Sequence, residues 1–97
     1  MKINALIVDD EYNCRNNLEI LLKDFCSNVN IVGQAESAEE ARTMLETHRP
    51  NLIFLDIAMP EEDGFSFLRS LEKRDFAVIF TTAHNEYALK AFKEHAI

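Results

Sequence analysis

Three short segments of this chain are almost wholly apolar: Ile3 to Val8, Leu52 to Leu55 and Ala77 to Phe80. A strand with one face in water alternates apolar and polar residues, so near-continuous runs predict strands covered on both faces by helices. Val29 to Ala35 is a weaker strand containing Gly33, and its mixed composition suits a sheet edge. Between the strands, Leu18, Leu21, Leu22 and Phe25 recur at i, i+3, i+4 and i+7, and Ala38, Ala41, Met44 and Leu45 repeat the pattern. Both segments predict amphipathic helices with those residues against a core. Ser37 with Glu40 offers a capping box for the second, in which Glu40 reaches back to the Ser37 N–H, and Pro50 closes it. Phe65, Leu68 and Leu71 predict a short third helix, and Ala88, Ala91 and Phe92 a fourth. Strand and helix alternating four times imply parallel pairing with right-handed crossovers, hence a three-layer doubly wound α/β sheet.

Composition narrows the function classes. The 97 residues, 47% of them apolar, suit one small domain with a buried core. Ten basic against seventeen acidic side chains give a formal charge of −7, which argues against this segment gripping a nucleic-acid backbone or an anionic membrane itself. No apolar stretch approaches ~18 residues, and the N-terminus lacks the order of a signal peptide, so a cytoplasmic location is expected. Cys14 and Cys26 have no CxxC spacing and read as reduced thiols on or near one helix. His48, His84 and His95 have no metal-ligand spacing. With Gly33 and Gly64 the only glycines, a glycine-rich nucleotide loop is excluded.

Chemistry concentrates where the strands end. Asp9 and Asp10 follow the first apolar run, Asp56 follows the third strand and Thr82 lies just beyond the fourth. In doubly wound sheets ligands sit beyond the carboxyl ends of the strands, where the strand order reverses, so topology and residue chemistry select one place. Like charges ~4 Å apart repel by about 4 kcal/mol at an effective dielectric near 20, so three gathered carboxylates require a cation or a retained proton. Oxygen ligands without clustered His or Cys favour magnesium over zinc.

These residues carry a family resemblance. Val8-Asp9-Asp10-Glu11, Leu55-Asp56-Ile57-Ala58-Met59-Pro60 leading to Asp63-Gly64-Phe65, and Phe80-Thr81-Thr82-Ala83 resemble the motifs of response regulator receiver domains of two-component systems, in order and across the whole chain. The stretch Thr82 to Phe92 is similar to receivers that precede LytTR-type DNA-binding domains. The resemblance implies a flavodoxin-like receiver with strand order 2-1-3-4-(5), of which residues 1–97 form the N-terminal portion. The fifth strand and helix, with their switch aromatic and phosphate-binding lysine, are expected beyond Ile97, as is any output domain. An Ala77 to Phe80 strand without that neighbour would be an apolar sheet edge.

The roles follow from the same resemblance. Asp56 would accept a phosphoryl group from a sensor histidine kinase, and Thr82 would contact a phosphoryl oxygen as the switch. Asp10 would bind Mg2+ directly and Asp9 directly or through water, with Asp56 and the backbone carbonyl of Ala58 completing the protein ligands. Glu11 reads as a first-turn acid favoured by the helix dipole. In the turn after Asp56, Gly64 can take a positive φ and Pro60 presets its own. Homodimerisation is expected, with DNA contacted only through an output domain and no membrane contact. Two other readings stand beside this one. A receiver-like interaction module would never gain phosphate. A phosphatase or dehalogenase commonly has an acid two residues after its nucleophile; Asp56 is followed by Ile57 and Ala58, while Asp9 is followed by Asp10 and Glu11. The chain is therefore expected to be a phosphoacceptor and not an enzyme.

Overall fold

The computed structural model describes residues 2–81. Thr82, the predicted fourth helix and His84 to Ile97 lie outside the described residues. In chain order the elements are β1 (Ile3–Val8), α1 (Tyr12–Phe25), β2 (Val29–Ala35), α2 (Ala38–His48), β3 (Leu52–Leu55), α3 (Gly64–Arg69) and β4 (Ala77–Phe80). All strand pairs are parallel, in the order β2-β1-β3-β4. The weak strand does lie at an edge, and β1, which begins the chain, sits inside. A register shift between Ala5 and Leu6 passes over Val32, so β2 carries a bulge next to Gly33.

The apolar runs divide between two core layers by the two-residue period of a strand. Leu6, Val8, Ile53, Leu55 and Val78 face Ala38 and Ala41 of α2 and Phe67 and Leu68 of α3, with Met59 between them. Ala5, Ile7, Leu52 and Phe54 face the other side, where Leu22 and the partly buried Leu18 of α1 cover them. Covering a sheet on both faces requires the uninterrupted apolar strands seen in the sequence. Full burial of side chains as large as Phe65 and Phe67 stabilises by roughly 2–3 kcal/mol each.

Several local expectations change. Leu18 and Leu22 of the α1 stripe meet the sheet, whereas Leu21 is 54% and Phe25 80% exposed, because the apolar face is wider than the part of it that the sheet reaches. Ser37 caps α2 by accepting the Glu40 N–H at 3.1 Å, but the Glu40 carboxylate accepts from the N–H of Glu36, not of Ser37. Only half of the capping box forms. α2 ends at Arg49, which takes a left-handed φ of 45° and donates its N–H to the Leu45 carbonyl, so the stop precedes Pro50. α3 is shorter than its stripe. Asp63 caps it by accepting the Ser66 N–H at 2.8 Å, Phe67 joins its buried face, and Leu71 packs on the core from beyond the helix.

β4 is the last strand of the sheet among the described residues, with Ala77 and Ile79 exposed and Val78 buried. Phe80 lies partly buried with its ring 5.3 Å from that of Phe65. No helix among the described residues is long and apolar enough to cross a membrane.

Candidate functional site

The backbone ladder continues one residue past three strands. The Asp9 N–H donates to the Ala35 carbonyl at 3.0 Å, the Asp56 N–H to Val8 at 2.9 Å and the Thr81 N–H to Leu55 at 3.0 Å. Parallel register therefore holds Asp9, Asp56 and Thr81 level at the carboxyl rim. Asp10 adjoins them, and carboxylate oxygens of Asp9, Asp10 and Asp56 all lie within 4.8 Å of one another. The three aspartates proposed from sequence share one place. Thr82, the other residue expected there, lies outside the described residues.

Local turns aim the side chains. Asp9 accepts the Glu11 N–H at 2.9 Å, which turns the chain from β1 into α1 with Glu11 as the N-cap residue. Asp56 accepts the Ala58 N–H at 3.3 Å in a like turn, keeping Ala58 beside its carboxylate. Ile57 and Met59 on either side are buried, and the Ile57 carbonyl accepts from both Met59 N–H and Gly64 N–H at 2.9 Å, while Ala58 itself is exposed. Gly64 serves this turn differently from the sequence expectation. No glycine has positive φ among the described residues, and the left-handed position in the loop is Glu61, at φ 68°. Gly64 is required by proximity: a Cβ there would lie 2.7 Å from the Asp56 carbonyl oxygen.

The electrostatics match a repelling cluster. Burial, followed by the charge of Asp9, pushes the Asp56 carboxyl up to about 6, against the lowering effect of its bond from the Ala58 N–H. Asp9 is also raised, by burial first and then by Asp10 and Glu11, with the bond from the Glu11 N–H opposing. Half-buried carboxylates that resist ionisation together have the character of a hard-cation site, and their oxygen-only donor set fits Mg2+ better than a thiophilic ion. Asp9, Asp10 and Asp56 could hold such an ion, and Ala58 is tied to this group through its N–H to Asp56.

Two neighbours were not assigned chemistry from sequence. Arg15 donates from Nη1 to the Asp9 carbonyl at 2.6 Å and from Nε to Gln34 at 3.2 Å, bracing the start of α1 against β2. Cys14, on the first turn of α1, donates its thiol to Glu11 at 3.4 Å. Both cysteines are free, as expected. The bond to Glu11 raises the Cys14 thiol most, and Asp9 and Asp56 also contribute. Cys14 thereby senses the cluster. In a Cys26→Ser background, saturating Mg2+ is expected to speed alkylation of Cys14 by iodoacetamide several-fold at pH 8, because a cation would offset the charges of Asp9 and Asp56. An unchanged rate would count against cation binding beside this thiol.

The chain is similar to known proteins over nearly all of its length. The family model described as response regulator receiver domain matches residues 5–97. The Escherichia coli transcriptional regulatory protein BtsR is 43% identical over 96 residues, covering 97% of this chain and 39% of that protein. The Bacillus cereus sensory transduction protein LytT is 37% identical over 97 residues, covering 98% of this chain and 39% of that protein. The chain thus spans 39% of the length of each of these two relatives. Among solved structures, the response regulatory domain of Klebsiella pneumoniae mrkE superposes with a TM-score of 0.86 at 27% identity, over 98% of this chain and 79% of that one.

Proposed function

The chain belongs to the response regulator receiver domain family, and from that membership we propose that Asp56 accepts a phosphoryl group from a phosphohistidine of a sensor histidine kinase. The observation that carries this reading is the gathering of Asp9, Asp10 and Asp56 within 4.8 Å at the strand ends, with Asp56 the most strongly perturbed. A pKa of about 6 leaves Asp56 mostly ionised at neutral pH, so a carboxylate oxygen is available as the nucleophile. That oxygen attacks phosphorus, an O–P bond forms as the donor's N–P bond breaks, and the imidazole leaves with the electron pair and is protonated. The product is an acyl phosphate on Asp56.

Asp10, Asp9, Asp56 and the Ala58 carbonyl would hold Mg2+. When bound, the ion offsets the repulsion between the carboxylates and the phosphoryl oxygens. The Ala58 N–H bond and the buried Ile57 and Met59 orient Asp56, while the Arg15 brace keeps Asp9 on the same rim. Thr82, following the ladder-bonded Thr81, is assigned the contact to a phosphoryl oxygen. The phosphoryl group carries about −1.5 to −2 where the carboxylate carried −1, and this net gain of roughly one negative charge, moved outward from the strand end, then biases the segment after β4.

The chain acts in the cytoplasm as a signalling domain and not as an enzyme. Its output is a LytTR-type DNA-binding domain beyond the 97 residues, which makes the DNA contact and works as a homodimer. The names of the longer relatives, a transcriptional regulatory protein and a sensory transduction protein, support this reading.

Incubation of the full chain with acetyl phosphate and Mg2+, followed by intact-mass analysis, is expected to give one phosphoryl adduct in wild type and none in Asp56→Asn. A wild-type chain that gains no adduct under these conditions would overturn the proposal in favour of an unphosphorylated interaction module.

A further inference from the structure

We infer that Arg42, on α2, is a positioning residue for the Asp56 site: it clamps the β3–α3 loop, through Glu62, in the shape that keeps Ala58 beside Asp56. The inference rests on the receiver reading and adds to it a determinant outside the acidic motifs. The Arg42 guanidinium donates from Nη1 to Glu62 Oε1 at 3.0 Å, and its Nη2 pairs with Glu62 Oε2. Its Nε and Nη2 also donate to Ser70 Oγ at 3.2 and 2.7 Å, and the Ser70 hydroxyl donates to the Phe67 carbonyl at 2.6 Å. The guanidinium carbon lies 5.6 Å from the ring centroid of Phe67, which is fully buried. One planar cation thus joins α2, the loop and both ends of the last turn of α3. Lysine has no fork for this.

The loop needs holding at this point. Its near end is fixed by the buried Ile57 and Met59 and its far end by the Asp63 cap on α3. Between them Glu61 sits at φ 68°, a left-handed conformation that is unfavourable for a residue with a Cβ and persists only where its surroundings enforce it. Glu62 follows directly, its N–H bonded to the Pro60 carbonyl at 2.7 Å and its carboxylate in the Arg42 fork. Release of Glu62 lets the 60–62 segment relax, and the change is passed through Met59 to Ala58, which is exposed and whose N–H bond to Asp56 is long, at 3.3 Å. The sequence gives little warning of such a pair, which is separated by twenty positions.

The test is Mn2+ affinity, measured by spin resonance, and the acetyl phosphate reaction rate in the full chain, for wild type, Arg42→Ala, Arg42→Lys, Glu62→Gln, the double change Arg42→Ala with Glu62→Gln, the single changes Arg42→Glu and Glu62→Arg, and these last two combined as a charge exchange. Each is accompanied by a thermal melt. Arg42→Ala and Glu62→Gln are expected to weaken Mn2+ binding by about three- to tenfold, below the ~10–100-fold typical of partners that touch a metal ligand directly. Arg42→Lys should recover part of the loss, and Glu62→Gln should add little in an Arg42→Ala background. The charge exchange should bind more tightly than either of its single changes. Should Arg42→Ala not fold, Glu62→Gln and Arg42→Lys carry the test. Lowered melting temperatures with wild-type Mn2+ affinity and reaction rate would make the clamp structural only and overturn the inference while leaving the receiver reading intact. A wild-type chain that neither binds Mn2+ nor gains phosphate would overturn both.

Discussion

Gly64→Ala is expected to destabilise the domain by about 2 kcal/mol and to abolish most of the Mg2+-dependent reaction of Asp56. The new methyl would lie 2.7 Å from the Asp56 carbonyl oxygen, 3.1 Å from Ile57 Cα and 3.2 Å from Leu55 Cγ. Two of these are backbone atoms in the turn that aims Asp56, and neither can swing aside as the tip of a long side chain would. Something larger must move. Either α3 lifts off β3, disturbing the buried Phe65, Phe67 and Leu68, or the Asp56 turn opens and the carboxylate leaves the other two. Overpacking of this kind costs about 1–3 kcal/mol, and alanine's better helix propensity returns at most ~1 kcal/mol at the first position of a helix. In a domain of this size, 2 kcal/mol corresponds to a drop in melting temperature of roughly 10 °C. Thermal unfolding followed by circular dichroism, with the acetyl phosphate reaction alongside, measures both effects. A variant that melts and reacts like wild type would show slack in the strand-to-helix turn and contradict the tight approach.

The aspartate cluster was readable because each acid ends an apolar run. A parallel sheet in register brings such ends to one level, and the ladder bonds at Asp9 and Asp56 are that argument realised. The sheet was legible for the same reason: buried strands announce themselves by lacking polar positions. Periodicity was less informative about helices. It marks which residues can face a core but not how much of the stripe the sheet reaches, so Leu21 and Phe25 of α1 remain exposed while Leu22 is buried. Phe67 was missed because the helix begins at Gly64, immediately after its Asp63 cap, and presents two phenylalanines to the interior. Gly64 stands out in the sequence as a turn residue, but composition cannot distinguish a glycine needed for φ from one needed for closeness. The Arg42 fork draws on the loop and both α3 contacts at once, and no local pattern encodes a contact made across three elements.

Removing the charge of Asp56 is expected to stabilise the metal-free domain at neutral pH even as it eliminates phosphorylation. The Asp56 carboxyl rises from 3.8 to about 6 on folding. Between those values the folded chain retains a proton that the unfolded chain has released, so stability from this group is full below about 3.8 and is lost as pH rises through 6. A shift of this size would correspond to about 3 kcal/mol for a sequestered group, but Asp56 is only half-buried, and solvent screening reduces the expectation to about 1 kcal/mol. Asn retains the shape without the charge, so neither burial nor the charge of Asp9 works against it as both do against the Asp56 carboxylate. Asp56→Asn should therefore melt roughly 5 °C above wild type at pH 7.5 in EDTA, and the gap should close as pH falls toward 4. Mg2+ should narrow or invert the difference, because binding to the folded state stabilises the chain with three carboxylates more than the chain with two. Equal melting temperatures in EDTA across that range would mean that the three acids coexist without strain, and the electrostatic argument for a cation at this rim would fail.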